Sequence, residues 1–406
     1  MQGRLLIALV VLCFSYSPKA QNRIYAQKMI DTLTSEAFYG RGYVKDGDKI
    51  AANFLATNFQ KQGIQSFKKD QWLYPFSFNV NSFPGKCDVK IGKKTLKPGI
   101  DYIVYPGCPS VKGKFKIQDQ NVLKDKHISS GRTAWVFDTS YKQDKNNPLN
   151  FSASDFEIQL QKKLTWSVAM RQDELPGIDI LKTSFPSGAK KLTVNIETRL
   201  FRHEAYNVIG YIPGTEVKDT FIVLTAHYDH LGMMGKTIFP GANDNASGVA
   251  MMLDLANYFS KNPPKYSIAF MAFAGEEPGL VGSKAYTGNP WDELPLGKMK
   301  FLVNLDLMGS GEKGMAVVNA TIFTDYYAKL QEANNAHNYL PAFKMRGKAA
   351  NSDHYWFVER GVKGFFFYLM GSYSNYHDVQ DNSNNLKLGE YYDKSFLLIR
   401  DFIKNI

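Results

Sequence analysis

The chain has 406 residues, 44% hydrophobic and 21% charged, with a net charge of +11 and three cysteines. That length allows one large domain or two medium ones, and that composition is globular stock, which excludes an extended disordered protein. No block rich in Lys and Arg is interleaved with aromatics, as a nucleic-acid groove would need; the basic residues read as a solvated surface, and no nucleic-acid partner is expected.

Residues 1–20 have the pattern of a secretory signal peptide. Arg4 supplies the positive start, and Leu5 to Phe14 is apolar but shorter than the roughly 20 residues that span a bilayer. Ala20 suits the last residue of a leader, although Pro18 sits poorly at the third place before the cut, and Cys13 follows Leu12, which does not suit a lipoprotein site. No later stretch is apolar for long enough to cross a membrane. An exported protein, secreted or periplasmic and without stable membrane insertion, is expected. Cys13 would leave with the leader, so Cys87 and Cys108 are a candidate disulfide in an oxidising compartment.

Two helical patterns follow, Ile24 to Leu33 and Ile50 to Phe59, with a turn at Gly40-Arg41-Gly42 between them and Gly63 as a stop. Residues 67–199 read as a mostly β insert. Its short alternating runs are Trp72 to Phe78, Ile100 to Tyr105, Arg132 to Phe137 and Lys191 to Ile196, punctuated by Pro84-Gly85 and Pro106-Gly107, with one or two helices expected around Phe156 to Leu164. It carries no chemical constellation and is expected to shape a cleft made elsewhere. From Asn207 onward strand and helix alternate: a strand at Val208 to Ile212, Phe221 to Ala226 leading to helix Gly248 to Phe259, Tyr266 to Ala274 leading to helix Leu280 to Tyr286, then Phe301 to Leu305. Strand Met315 to Val318, helices Phe323 to Ala333 and Asp353 to Glu359, the apolar run Phe365 to Met370 and a last helix from Gly389 to Ile403 complete the chain. This predicts an α/β three-layer sandwich with a central mixed, mostly parallel sheet, built from residues 21–66 and 200–406.

Four of these apolar runs end in carboxylate or imidazole. Phe221 to Ala226 meets His227-Tyr228-Asp229 and, after a Gly-rich loop, Asn243-Asp244-Asn245. Tyr266 to Ala274 meets Gly275-Glu276-Glu277, Phe301 to Leu305 meets Asp306, and Phe365 to Met370 is followed by Tyr376-His377. Open α/β sheets bind ligands at the C-terminal ends of their strands, so the four ends suggest one site on one edge. His227, Asp244, Glu277, Asp306 and His377 hold one carboxylate too many for a single tetrahedral zinc. They suit two divalent ions about 3.5–4 Å apart that share one carboxylate and lower the pKa of a common water. Asp244, in a tight Gly/Asn-rich loop, is the candidate bridge. Glu276 is then free to act as general base, passing a proton from water to the leaving amine. Asp229, two residues after His227, can accept the other ring N–H of that histidine. His230 and His354 read as hydrogen-bonded or surface histidines rather than ligands.

The whole set resembles the secreted co-catalytic dizinc aminopeptidases of the bacterial leucyl aminopeptidase type, whose superfamily also holds glutamate carboxypeptidase and the transferrin-receptor ectodomain. The resemblance rests on His227-x-Asp229, the run from Gly241 to Gly248, Gly275-Glu276-Glu277, Asn304-Leu305-Asp306, Ser352-Asp353-His354 and Tyr376-His377. It covers residues 200–400 well and 24–66 loosely. It implies two zinc ions per chain, one held by His227, Asp244 and Asp306 and the other by His377, Asp244 and Glu277. It further implies Glu276 as base, Tyr376 as donor to the tetrahedral oxyanion, Asp353 at the substrate pocket, and a cis peptide at Asp244–Asn245. The 67–199 insert occupies the place of a protease-associated domain. The pattern departs in its long gap from His227 to Asp244, which includes Met233-Met234 and is expected at the substrate pocket, and in Asp378, which stands where Thr or Ser is usual.

The implied activity is a zinc exopeptidase removing residues from peptide or protein N-termini. A glutaminyl cyclase with one zinc, a dipeptidase or carboxypeptidase, and a metal-free receptor on the same fold are the alternatives. The complete five-residue ligand set favours the two-metal hydrolase.

Overall fold

The computed structural model describes residues 22–119, 132–138 and 155–406; the expected leader 1–20, with Cys13, lies outside them. Four strands lie side by side and all run parallel: Tyr266–Phe273, Val217–His227, Met299–Leu305 and Gly364–Leu369. Parallel strands covered on both faces become unbroken apolar runs, and these four are buried almost throughout. Successive residues alternate sides. Ile222, Leu224 and Ala226 enter the core shared with helices Arg23–Leu33, Gly47–Lys61 and Gly248–Lys261. Phe221 and Val223 face the opposite core, which takes Tyr286 and Phe357 from helices Val281–Gly288 and His354–Glu359. Each Ile, Leu, Val or Phe side chain among them contributes roughly 1.5–3 kcal/mol by its burial. The result is an α/β sandwich of three layers around an eight-stranded mixed sheet, edged by antiparallel neighbours on either side. Because the four central strands share one direction, their C-terminal ends lie along one edge.

A second eight-stranded sheet is built from strands between Cys87 and Ile196 and has its own apolar core. Leu73–Ser82, within the expected 67–199 insert, instead pairs with Arg199–Ile212 and joins the larger sheet. The helix expected around Phe156 to Leu164 is the strand Phe156–Gln161, parallel to its neighbours Thr133–Asp138 and Gly177–Leu181. Phe156 and Ile158 point into the core while Glu157 and Gln159 alternate with them, the period-two pattern of a half-buried strand. The long loop after His227 also has a different use from the one expected. It forms the hairpin Gly232–Met234 with Thr237–Phe239, and Leu231, Met234 and Phe239 insert into the core of the smaller sheet.

Cys87 and Cys108 are free buried thiols, so the expected disulfide is not formed. Cys87 opens a strand and is held in register with Ile196; the Cys108 thiol is turned toward the carbonyl of Pro109, 3.3 Å away. Burial pushes both thiols up to about 12, so little thiolate is available to react.

Arg41 is the largest of the fully buried side chains. Its guanidinium donates to the carbonyls of Tyr228 at 2.7 Å, Leu33 at 3.0 Å and Gly241 at 2.7 Å, and to that of Pro240. It ties the first helix to both ends of the loop between His227 and Asp244. No helix among the described residues is long and apolar enough to cross a membrane.

Alkylation of denatured, unreduced protein followed by peptide mapping is expected to label both Cys87 and Cys108; a disulfide-linked peptide pair would contradict the structure. Arg41→Met leaves the buried carbonyls of Tyr228 and Leu33, and the partly buried one of Pro240, without a donor, and each such orphan costs about 1–3 kcal/mol. Urea unfolding is expected to show a loss of about 3 kcal/mol or more, and a loss below about 1 kcal/mol would mean that water or a rearrangement takes over the role of Arg41.

Candidate metal centre

The structure brings His227, Asp244, Glu277, Asp306 and His377 together. His227 Nε2 lies 3.2 Å from Asp244 Oδ1 and 3.5 Å from Asp306 Oδ1. His377 Nε2 lies 3.1 Å from Asp244 Oδ2 and 3.2 Å from Glu277 Oε2. One carboxylate, Asp244, therefore meets an imidazole at each of its oxygens. Zinc–ligand bonds of about 2.0–2.1 Å in a tetrahedron separate neighbouring ligand atoms by about 3.3–3.4 Å, and the observed spacings fall around that value. Apart from His227, Asp306 Oδ1 has no hydrogen-bond partner among the described residues. The donor set and its spacing fit divalent ions such as zinc.

Electrostatics lead to the same conclusion. Burial alone would lower the imidazole of His377, but Glu277 and Asp244 outweigh it and push it up to about 11. Glu277 is likewise opposed by burial, yet His377 and His230 bring its carboxyl down to about 2. Without a cation the carboxylates draw protons onto the histidines. A divalent ion would supply that positive charge instead, with neutral imidazole ligands.

Local structure fixes each group. The Asp244–Asn245 peptide is cis. Asp381 accepts the backbone N–H groups of Asn243 at 2.8 Å and Asp244 at 3.1 Å. The Asn245 side chain spans from the carbonyl of Leu305 to the N–H of Gly248, both at 2.9 Å. A Cβ at Gly248 would approach the Asn245 side chain to 2.2 Å, so glycine is required where this helix begins. Ser352 accepts from Asn304 at 2.8 Å and donates to Asp306 Oδ2 at 3.1 Å. His377 and Leu307 both have left-handed backbone, with φ of 54° and 56°, a conformation costly for residues other than glycine.

Both imidazoles engage backbone carbonyls through Nδ1, as metal-ligating histidines commonly do. His377 Nδ1 lies 2.7 Å from the carbonyl of Trp166, so the smaller sheet's connecting segment orients a residue of the centre. His227 Nδ1 meets the main-chain carbonyl of Asp229 at 3.2 Å, whereas the Asp229 carboxylate lies beyond hydrogen-bond range at 3.7 Å. That carboxylate instead accepts the N–H groups of Glu276 at 3.1 Å and Glu277 at 3.4 Å and the hydroxyl of Tyr43 at 2.9 Å. Asp229 thus steadies the Glu-Glu turn more than the histidine.

Glu276 lines a cavity of about 200 Å³ together with His227, Asp244, Asp306 and Tyr376. Burial raises its carboxyl well above the usual range, and Glu277 and Asp353 add to the effect against His227. Tyr376 is half-exposed at the rim, its ring stacked on His377 at 3.8 Å. Asp353 does not line the cavity, contrary to expectation. It is fully buried, and burial pushes its carboxyl up to about 7; the hydrogen bonds of Ser352 draw this segment inward. His230, set aside in the sequence, is fully buried with Nδ1 2.7 Å from Glu277 Oε1, and it groups with Asp244 and Glu277. Its place one residue after Asp229 was the available signal. His354 is buried and held neutral, at about 3, by that burial.

Residues 207–400 match the profile of Peptidase family M28. Among curated relatives, Aminopeptidase YwaD of Bacillus subtilis (strain 168) is 32% identical over 138 residues, covering 34% of this chain and 29% of its own length. A Vacuolar membrane protease of Candida glabrata is 27% identical over 188 residues, 46% of this chain and 19% of that protein. The chain thus spans less than a third of the length of these curated relatives. Solved structures match far more of it. A zinc aminopeptidase from Bacillus subtilis gives a TM-score of 0.72 at 19% identity over 95% of both chains. An aminopeptidase from Aneurinibacillus sp. strain AM-1 gives 0.65 at 18% identity, over 95% of this chain and 94% of its own. These likenesses show the fold. The segment similar to Peptidase family M28, residues 207–400, contains Glu276 and all five converging ligand-type side chains.

Proposed function

We propose that this protein is an exported exopeptidase that hydrolyses the N-terminal peptide bond of peptides with two zinc ions per chain. The observation that carries this reading is the single Asp244 carboxylate with an imidazole Nε2 at each oxygen, 3.2 and 3.1 Å away. His227 and Asp306 complete one side, and His377 and Glu277 the other. Two such ions, when bound, supply Lewis acidity to the scissile carbonyl and to water.

The chain's own groups do the rest. The Glu276 carboxylate, raised by its surroundings, takes a proton from the attacking water and delivers it to the leaving amine; a general base works best with a pKa near the working pH. Asp229 and Tyr43 fix its backbone. Tyr376, which lines the same cavity, donates to the oxyanion as the carbonyl becomes tetrahedral. The surplus of carboxylates favours a substrate with a free, positively charged amine. The relatives named aminopeptidase support this choice over a cyclase, as does the full ligand set.

Mass spectrometry of a peptide library with varied N-terminal residues, incubated with zinc-loaded protein, is expected to show stepwise loss from the N-terminus. Loss of ammonia from Gln-led peptides alone would mean a cyclase, and loss from the other end a carboxypeptidase. His227, Glu276 and Glu277 also lie close enough to form a ligand group of their own. Glu276→Gln is therefore expected to keep both metals while turnover falls about 10²- to 10⁴-fold; zinc lost from that variant would make Glu276 a ligand. Asp244→Ala is expected to empty both sites, and one full equivalent of tightly held zinc would remove Asp244 as the bridge.

A further inference from the structure

The cavity beside the metal centre is lined by the carboxylates of Asp244, Glu276 and Asp306 and also by a cation. Arg346 is the only lysine or arginine that lines it among the described residues, and it does so with Asn351, Phe366 and Tyr368. Its position is set by the sheet rather than by a free loop. Strand Phe343–Met345 pairs in parallel with Met315–Val318, the Arg346 N–H donates to the carbonyl of Val317 at 2.9 Å, and the Arg346 carbonyl accepts from Thr321 at 3.4 Å. Phe366 and Tyr368 lie two apart on Gly364–Leu369 and so share one face.

Arg346 has no carboxylate within ion-pair distance among the described residues, whereas Lys348, two residues on, is paired with Glu359. One guanidinium N–H is used, on the Tyr368 hydroxyl at 2.7 Å, and the guanidinium carbon stands 5.9 Å from the centroid of the same ring. Arginine has five N–H donors in a fixed fork that matches a carboxylate. Tyr368 accepts from Arg346, so its own O–H is free to donate in turn. The Asn351 amide stands in the same wall.

We infer that Arg346, with Tyr368 and Asn351, receives a carboxylate of the substrate, which makes the preferred substrates peptides with an acidic N-terminal residue. The inference deepens the peptidase reading and rests on it. A cavity of about 200 Å³ lies below the roughly 300–1,000 Å³ of pockets for drug-sized ligands, so it takes about one residue. An N-terminal Glu or Asp has an ammonium for the carboxylates of that lining and a side-chain carboxylate for Arg346. The C-terminal carboxylate of a dipeptide is the other source of the same group.

The test combines binding with turnover on zinc-loaded wild type, Arg346→Ala, Arg346→Lys and Tyr368→Phe. Calorimetry with free L-glutamate and L-glutamine, which differ in charge but not in size, is expected to favour glutamate about tenfold or more in the wild type, the range of one hydrogen bond to a charged group. Arg346→Ala is expected to abolish that preference, and Arg346→Lys to keep part of it. In parallel, kcat/KM for Glu-Ala-Ala-amide relative to Leu-Ala-Ala-amide is expected to fall about tenfold or more in Arg346→Ala. A preference that appears only between Leu-Ala and Leu-Ala-amide assigns the carboxylate to the dipeptide C-terminus. Equal wild-type affinities for glutamate and glutamine, with no carboxylate preference in either peptide pair, would overturn the role of Arg346 without any variant having to fold. Failure of every peptide to be cleaved would count against the peptidase reading instead, while the glutamate–glutamine comparison still decides the role of Arg346.

Discussion

The structure depends on holding three carboxylates at bonding distance from two imidazoles at one end of a sheet. Two like charges 4 Å apart repel by about 4 kcal/mol at an effective dielectric of about 20, and Asp244, Glu277 and Asp306 are buried together. Positive charge must be supplied to such a cluster. The Nε2 atoms of His227 and His377 point at it, and the N···O spacings of 3.1–3.5 Å are those of ligands around common ions as well as of hydrogen bonds. The same acidity that calls for metal suits the ammonium of a peptide N-terminus.

The remainder of the fold can be understood as what keeps that cluster from relaxing. Parallel strand direction brings four chain ends to one edge. Arg41, from the segment after the first helix, ties the backbone of the loop between His227 and Asp244. Asp381, from the far end of the chain, holds the N–H groups of Asn243 and Asp244. Asp229 holds the turn that carries Glu276 and Glu277. The smaller sheet contributes a carbonyl to His377 through Trp166. It also takes the hairpin after His227 into its own core, so both halves of the chain bear on the geometry of the centre.

How legible this was in the sequence depended on what each residue contributes. The four central strands could be read because burial on both faces leaves unbroken apolar runs, and the polar groups that end them stand out by contrast. Trp166 could not be read, because it acts through a carbonyl that every residue possesses, 211 positions away from His377. Arg41 looked like part of a Gly-Arg-Gly turn, and nothing local indicates that its guanidinium is fully buried. His230 was discounted as an ordinary histidine although it follows Asp229 directly. The alternation that makes Phe156–Gln161 a strand stops at Lys162-Lys163, so the run to Leu164 reads as helix as readily as strand, and the candidate pairing of Cys87 with Cys108 rests on compartment alone, which says nothing about where either thiol points. Asp353 was placed at the pocket by its motif, yet Ser352 turns that segment into the core.

The most direct test of the account is anomalous diffraction at the zinc edge from crystals of zinc-loaded protein. The account predicts two peaks about 3.5–4 Å apart, one on each side of the Asp244 carboxylate, with His227 and Asp306 on one and His377 and Glu277 on the other. A single peak, or a second peak held by His230 in place of His377, would contradict it.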